Sequence, residues 1–384
     1  MSSSPVPSSS APPAPQRVVV LGSLALSLIN FRGPLIAELV SRGHRVFALA
    51  PDIDEDVAAQ VRALGAEPVS IRLGRTSLNP FGAMATLRDL SRALRSIGPD
   101  VVFAYTIKPI ILGAAAARAA GVPRFVCLVT GLGYAFTGGR ERKRLLSRAI
   151  GKVMYKRAFR RSVLAVFQNP DDRGEFRRLR LLPPSLPTLL INGSGVDVDR
   201  FSPAPLPAGP SFLMIARLLK DKGIREFAQA AARLRAERPE VRISVVGFLD
   251  TSPDGIGQAG LDQLIAAGVD YRGLQLDVRP AIAEHSVYVL PSYREGTPRS
   301  VLEAMAMGRP VITTDAPGCR ETVAHGVNGL LVAVKDAEAL YRAMVRFVDE
   351  PGLIAPMGAE SRRIAEEKFD VRKVNAELLA AAGL

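Results

Sequence analysis

Histidine occurs three times and cysteine twice in the 384 residues. Those shortages exclude several chemistries. Cys127 and Cys319 are far apart and lack metal-ligand spacing, so neither a disulfide framework nor a zinc site is expected, and a reduced, cytoplasmic setting is the simplest reading. His44, His285 and His325 fall near a turn, a helix end and a loop, where none serves as a general base. No aspartate-rich metal motif stands out, so neither a metal nor a cofactor is expected. The longest uncharged apolar run, Val18 to Phe31, is too short to span a bilayer and breaks at Gly22-Ser23. The first sixteen residues have no basic n-region and no apolar h-region, so their Ser/Pro/Ala composition reads as a disordered tail and not as a secretory signal.

What is present describes a folded chain of two domains: 48% hydrophobic and 23% charged residues over a length that can hold two cores. The net charge of +13 is unevenly placed. Residues 17–190 hold 27 Lys/Arg against 12 Asp/Glu, whereas 191–384 hold 23 against 25. No helix-turn-helix, zinc-ligand set or RNA-binding aromatic motif accompanies the basic half, which argues against nucleic acid. An anionic membrane surface or a diphosphate-bearing substrate accounts for it better.

Strand Arg17–Leu21, a loop over Gly22–Gly33, helix Pro34–Arg42, strand Val46–Ala50, helix Asp54–Leu64 and strand Pro68–Ile71 begin an α/β alternation, which predicts a parallel, doubly wound sheet. The loop holds N-F-R-G, Asn30 to Gly33, with a phosphate-loop look but without dinucleotide spacing. A helix over Phe81–Ile97 leads to strand Asp100–Ala104 and then Y-T-I-K-P. Tyr105, Thr106 and Lys108 at a strand's carboxyl end are candidate site residues, Lys108 for an anionic group; a Lys on a solvated loop is the plain alternative. T-G-L-G-Y-A-F-T-G-G, from Thr130, sets Gly131, Gly133 and Tyr134 in a loop suited to covering an acceptor, or to a plain connection.

Arg140 to Arg161 carries ten Lys/Arg and one acid. Arg144, Arg148, Lys152, Lys156 and Arg160 recur every four residues beside Leu145, Leu146, Ala149, Ile150, Val153 and Met154, the pattern of a basic amphipathic helix. It suits docking on an anionic leaflet; the alternative is a helix packed into its domain with solvated charges. The proline-rich stretch Phe201 to Pro207 marks a domain boundary. Beyond it, Arg217 and Lys222 lie five apart across a strand-to-helix turn, where both cations can close on one diphosphate. Strand Arg242–Val246 ends at Gly247, and strand Val269–Arg272 at Gly273.

The richest stretch is Pro291 to Gly318, which follows strand Val287–Leu290, forms a loop, becomes a helix from Arg299 to Met307 and returns to strand Val311–Thr313. Glu295 in the loop and Glu303 in the helix have seven residues between them, so both carboxylates can face the crevice beyond the strand. The N–H groups of Gly296, Thr297 and the first helical turn suit an anion such as a diphosphate. Two carboxylates beside them suit sugar or ribose hydroxyls. A surface helix with two solvated glutamates would show the same pair.

The whole string E-G-T-P-R-S-V-L-E-A-M-A-M-G-R-P-V-I resembles the signature of retaining glycosyltransferases of family 4, which have the GT-B fold. The resemblance implies that Glu295 contacts the donor sugar and Glu303 the nucleotide ribose. It also implies that Arg217 and Lys222 are donor-phosphate cations, and that Gly296, Thr297, Pro298, Arg299 and Gly247 line the donor site. Asn30, Arg32 and Gly33 would approach the diphosphate and acceptor. Many relatives carry a His near Tyr105 to Pro109; this chain does not. Y-T-I-K-P, G-L-G-Y-A-F-T, F-Q-N-P-D-D (Phe167 to Asp172) and N-G-S-G-V-D (Asn192 to Asp197) resemble the branch that builds bacterial surface polysaccharides and lipid-linked oligosaccharides, including α-N-acetylgalactosaminyl transfer to undecaprenyl-diphosphate-linked sugar.

The implied organisation is a tail over 1–16, an acceptor-binding Rossmann-like domain over 17–195, a nucleotide-sugar-binding Rossmann-like domain over 196–365 facing it across a cleft, and a crossover helix over 366–384. The implied protein is a metal-independent, retaining transferase of a UDP-sugar, acting on an undecaprenyl-diphosphate-linked or polysaccharide acceptor, cytoplasmic and peripheral on the inner face of the membrane. A GT-B-fold sugar-nucleotide epimerase would need acid and base groups that are not evident. A non-catalytic assembly component would not need Arg217, Lys222, Glu295 and Glu303 intact.

Overall fold

Val18, Val19, Val20 and Leu21 are wholly buried, as expected of a central parallel strand covered by helices on both faces. The computed structural model describes residues 14–73, 80–131, 142–252 and 254–384, the side chains of 80–81 and 142–150 excepted. The strands β1 (Arg17–Leu21), β2 (Arg45–Ala50), β3 (Glu67–Ser70), β4 (Val101–Tyr105), β5 (Arg124–Val129), β6 (Leu164–Phe167) and β7 (Thr188–Leu190) form a seven-stranded sheet in the order β3-β2-β1-β4-β5-β6-β7. With them run helices α1 (Ala25–Asn30), α2 (Gly33–Ser41), α3 (Glu55–Ala63), α4 (Pro80–Ile97), α5 (Ile107–Ala120), α6 (Arg142–Phe159) and α7 (Pro170–Arg178).

The second sheet has six strands, β8 (Ser211–Ile215), β9 (Arg242–Val246), β10 (Asp270–Tyr271), β11 (Val287–Leu290), β12 (Val311–Thr314) and β13 (Gly329–Val332), in the order β10-β9-β8-β11-β12-β13. Its helices are α8 (Ile224–Glu237), α9 (Gly257–Ala266), α10 (Arg279–Ala283), α11 (Arg299–Ala306), α12 (Ala337–Asp349), α13 (Ile354–Lys368) and α14 (Val371–Ala381). β1 pairs in parallel with β2 and β4, and β8 with β9 and β11. Strand order therefore reverses between β1 and β4 and again between β8 and β11. At such reversals the loops leaving the strands part and open a crevice at their carboxyl ends.

By internal packing the chain divides into two compact units. One is Met1–Cys127 with Arg161–Leu164 and Leu379–Leu384; the other is Leu128–Arg160 with Ala165–Leu378. Within the first, the Arg124 guanidinium donates to the carbonyls of Ala382 (3.1 Å) and Gly383 (3.3 Å). Among the described residues no helix is long and apolar enough to cross a membrane.

Local structure departs from the sequence reading at three places. The expected loop Gly22–Gly33 contains α1, six residues with no side-chain cap, too short to show a helical period. Lys108, read at a strand's carboxyl end with a solvated loop as the alternative, lies in the first turn of α5, which starts after Thr106 at φ 67. In α6, Val153 is 52% exposed, and among its described side chains the buried ones are Tyr155, Ala158 and Phe159. The reason is an aromatic cluster: Phe176 of α7 meets Tyr155, Phe159 and Phe167 edge-on, at ring centroid distances of 5.3, 5.7 and 5.4 Å.

Candidate active site

Loops leaving β8 and β11 meet at the second reversal. The backbone N–H of Tyr293 donates to the Asp221 carbonyl at 2.8 Å, and Ser292 Oγ donates to the same carbonyl at 3.2 Å, which ties the loop after β11 to the turn before α8. That tie sets Lys222 Nζ 2.5 Å from Glu295 Oε1. Arg217 leaves the end of β8 and pairs with Asp250 at 3.2 Å, its side chain more than half exposed. The two cations expected on one diphosphate are thus each engaged by a separate carboxylate.

Glu303 is 9% exposed, which excludes a solvated glutamate on a surface helix. Arg299, one turn earlier, donates Nε to Glu303 Oε1 at 2.8 Å. Burial pushes the Glu303 carboxyl above its usual range, opposed by Arg299 and Arg200. α11 begins after Pro298, which lends no side-chain cap, and its first turn is fastened to the end of β8 by Ser300 Oγ donating to the Ile215 carbonyl at 3.1 Å. An uncapped helix start leaves N–H groups for an anion. Gly247 is buried at the end of β9, and Tyr271 Oη donates to its carbonyl at 3.0 Å.

The segment from Glu295 to Thr297 is held from behind by residues that sequence reasoning left out of the site. Asn169 Nδ2 donates to the Gly296 carbonyl at 2.8 Å and reaches the Glu295 carbonyl at 3.3 Å. Thr297 Oγ1 donates to the Gln168 carbonyl at 3.1 Å. A Cβ on Gly296 would stand 2.4 Å from Gln168 Oε1 and 2.5 Å from the Thr130 carbonyl oxygen, so only glycine lets these loop segments approach this closely. Asp172, its carboxylate buried, pairs with Arg294. The available signal was F-Q-N-P-D-D, which carries part of the family resemblance but locally reads as an Asn cap followed by Pro and two acids, a helix start with no site role.

At the first reversal, Tyr105 is buried, its Oη 2.8 Å from Ser27 Oγ, and the Arg32 guanidinium lies 4.9 Å from its ring centroid. Thr106 Oγ1 donates to Ser23 Oγ at 2.9 Å, joining the ends of β4 and β1. Burial lowers the Lys108 pKa. Gly33 is buried at the start of α2 and Asn30 is exposed at the end of α1. Gly131 belongs to the second unit; Gly133 and Tyr134 lie outside the described residues. The side chains of Arg144 and Arg148 are likewise outside them, whereas Lys152 is half-buried and Lys156 exposed.

Two parallel α/β sheets, with the Glu–x7–Glu segment at the second reversal, are the architecture that the sequence resemblance to GT-B glycosyltransferases implies. Residues 32–193 match the family described as glycosyl transferase 4-like domain, residues 209–350 match glycosyl transferases group 1, and the chain belongs to these glycosyltransferases. It is 29% identical, over 84% of its length and 87% of the relative's, to the N,N'-diacetylbacillosaminyl-diphospho-undecaprenol alpha-1,3-N-acetylgalactosaminyltransferase of Campylobacter jejuni. It is 27% identical to the UDP-Gal:alpha-D-GlcNAc-diphosphoundecaprenol alpha-1,3-galactosyltransferase of Escherichia coli, over 70% of this chain and 71% of that one. Among solved structures, Anabaena HepE in complex with UDP and glucose superposes with a TM-score of 0.80 at 18% identity, covering 96% of this chain and 99% of that one. At that identity the likeness is one of fold.

Proposed function

We propose that the chain moves a sugar from a UDP-linked donor to a saccharide carried on a polyprenyl diphosphate, or to a surface-polysaccharide precursor, with retention at the anomeric carbon and without a metal ion. The observation that carries this reading is the Lys222–Glu295 pair beside the uncapped start of α11, with Glu303 buried on the same helix. The two relatives named above act on undecaprenol-diphosphate-linked sugars, which supports the acceptor class.

In this reading Glu303 accepts hydrogen bonds from the ribose, and Glu295 from the sugar. Lys222, Arg217 and the start of α11 with Arg299 stabilise the charge gathering on the diphosphate. The bond from the anomeric carbon to the diphosphate oxygen breaks, its electron pair leaving with UDP, and the acceptor oxygen bonds to the same face. The acceptor's hydroxyl proton passes to an oxygen of the departing phosphate. Gly296, Thr297, Pro298 and Gly247 complete the donor side within residues 196–365. The acceptor side falls in residues 17–195, at Asn30, Arg32, Gly33, Tyr105, Thr106, Lys108, Gly131, Gly133 and Tyr134. The basic face of α6 rests on the inner leaflet of the cytoplasmic membrane.

The test is a panel of UDP-sugars with a polyprenyl-diphosphate-linked saccharide, with and without a chelator, and the anomeric configuration of the product read by NMR. Transfer with retention, insensitive to chelator, is expected. An epimerised donor in the absence of acceptor would overturn the reading.

A further inference from the structure

The first turn of α7 grips the chain on both sides of Glu295. On one side Asp172, its side chain wholly buried, binds the guanidinium of Arg294, with Nε 3.2 Å from Oδ1. On the other side Asn169, 1% exposed, points its amide at the carbonyls of Gly296 and Glu295. Asn169 Oδ1 accepts the backbone N–H of Asp172 at 2.7 Å, which assigns the orientation of the amide and makes Nδ2 the donor, shared between the two carbonyls and Asp172 Oδ2 at 3.2 Å.

A trans peptide is planar, and its N–H points opposite to its C=O. With the Gly296 carbonyl directed at Asn169, the Thr297 N–H is directed away from α7. The Gly296 N–H follows the Glu295 carbonyl in the same sense. Among the described residues neither N–H has an acceptor. The loop cannot easily rotate out of this arrangement, because Thr297 is tied to Gln168 and Gly296 is closed in by Gln168 and Thr130.

We propose that Asn169 is a positioning residue of the transfer reaction: by holding two successive carbonyls it aims the Gly296 and Thr297 N–H groups, with Glu295 between Arg294 and Gly296, at the reacting donor. The proposal rests on the functional reading given above. Donors fixed in direction before the reaction stabilise charge developing in the transition state without reorganising. Asn169 acts through the backbone, so its loss should affect turnover and leave nucleotide binding by Glu303 in place.

Asn169→Ser separates this role from the capping of α7, since a serine hydroxyl still accepts an N-terminal N–H but supplies no amide to the carbonyls. Asn169→Asp is the second variant; it also retains the cap and cannot donate, but it sets a second buried carboxylate beside Asp172 Oδ2, so its kcat is read only against its melting temperature. Melting temperature, UDP affinity, kcat and KM are measured for each, together with the amide resonances of Gly296 and Thr297 with and without UDP-sugar. The expected result for Asn169→Ser is a kcat lower by ~10²-fold, the magnitude typical of removing such a donor, with UDP affinity within about threefold of wild type. The two N–H resonances should shift on donor binding in the wild type and not in the variants. A kcat within threefold of wild type overturns the proposal, as does a loss of UDP affinity equal to the loss of kcat. If the wild type transfers from no nucleotide sugar, the functional reading falls, and the resonances alone decide the role of Asn169: unaltered shifts in Asn169→Ser overturn it.

Discussion

The Lys222 ammonium and the Glu295 carboxylate stand 2.5 Å apart, with side chains 15% and 16% exposed. Each neutralises the other, so a donor that engages both must divide the pair between its phosphate and its hydroxyls. Lys222→Ala should lower kcat with a UDP-sugar by ~10²-fold while leaving the affinity for uridine close to wild type, because in the proposed reaction the cation acts on charge that develops on the diphosphate. Steady-state kinetics beside uridine titration check this. Equal losses for both ligands would place Lys222 in nucleoside binding.

Glu303 should trade stability for binding. Its carboxyl titrates above the usual range because it is buried, so the stability it contributes is full below the unfolded carboxyl pKa and is lost as pH rises through the folded value. Glu303→Gln should therefore melt higher than wild type at neutral pH, with the advantage vanishing in acid. The same substitution should weaken UDP binding by ~1.5–3 kcal/mol, since in the proposed reading a charged acceptor of ribose hydroxyls is lost. In the wild type, UDP affinity should fall as acid protonates Glu303. Arg299→Gln should move that fall to higher pH, since Arg299 opposes the rise. Melting curves and UDP titrations across pH decide both points.

Gly318→Ala should damage the site from behind. Its φ is +82°, and a Cβ there would come 2.2 Å from the Glu295 carbonyl oxygen. Overpacking of this kind costs ~1–3 kcal/mol, and relief requires Glu295 to move. A loss of turnover beyond the loss of stability is expected. Gly326→Ala is the control: at φ +78° with nothing within 4 Å of its added Cβ, it carries backbone strain alone and should keep its turnover.

Replacing Arg144, Arg148, Lys152 and Lys156 with Gln should release the protein from anionic vesicles and spare UDP binding. Each cation near an anionic leaflet contributes ~1 kcal/mol, screened beyond a Debye length of ~8 Å at physiological salt. Co-sedimentation at low and high salt is the measurement. Retention of the variant at the wild-type level would mean that α6 does not hold the protein to the leaflet.

The strand and helix succession was legible because apolar runs of four to six residues, such as Val101–Tyr105, alternate with amphipathic segments whose caps are local, Asp54 accepting the Val57 N–H being one. Glu295 and Glu303 were legible for a similar reason. Their spacing, with a glycine after the first and a helix around the second, is a property of one continuous segment. α1 was not legible, since six residues are too few to establish a period. The positive φ of Thr106 was not either, because its polar partner Ser23 lies 83 residues away.

Tertiary structure alone decided which partners these residues meet. Glu303 is buried and Lys222 engages Glu295 because the reversal of strand order between β8 and β11 brings separate loops to one place. Asn169 reaches Gly296 across 127 residues for the same kind of reason. A periodic pattern records which face of an element is apolar; the order in which parallel strands are laid down, and so which of their ends adjoin, depends on the packing of all the crossovers together.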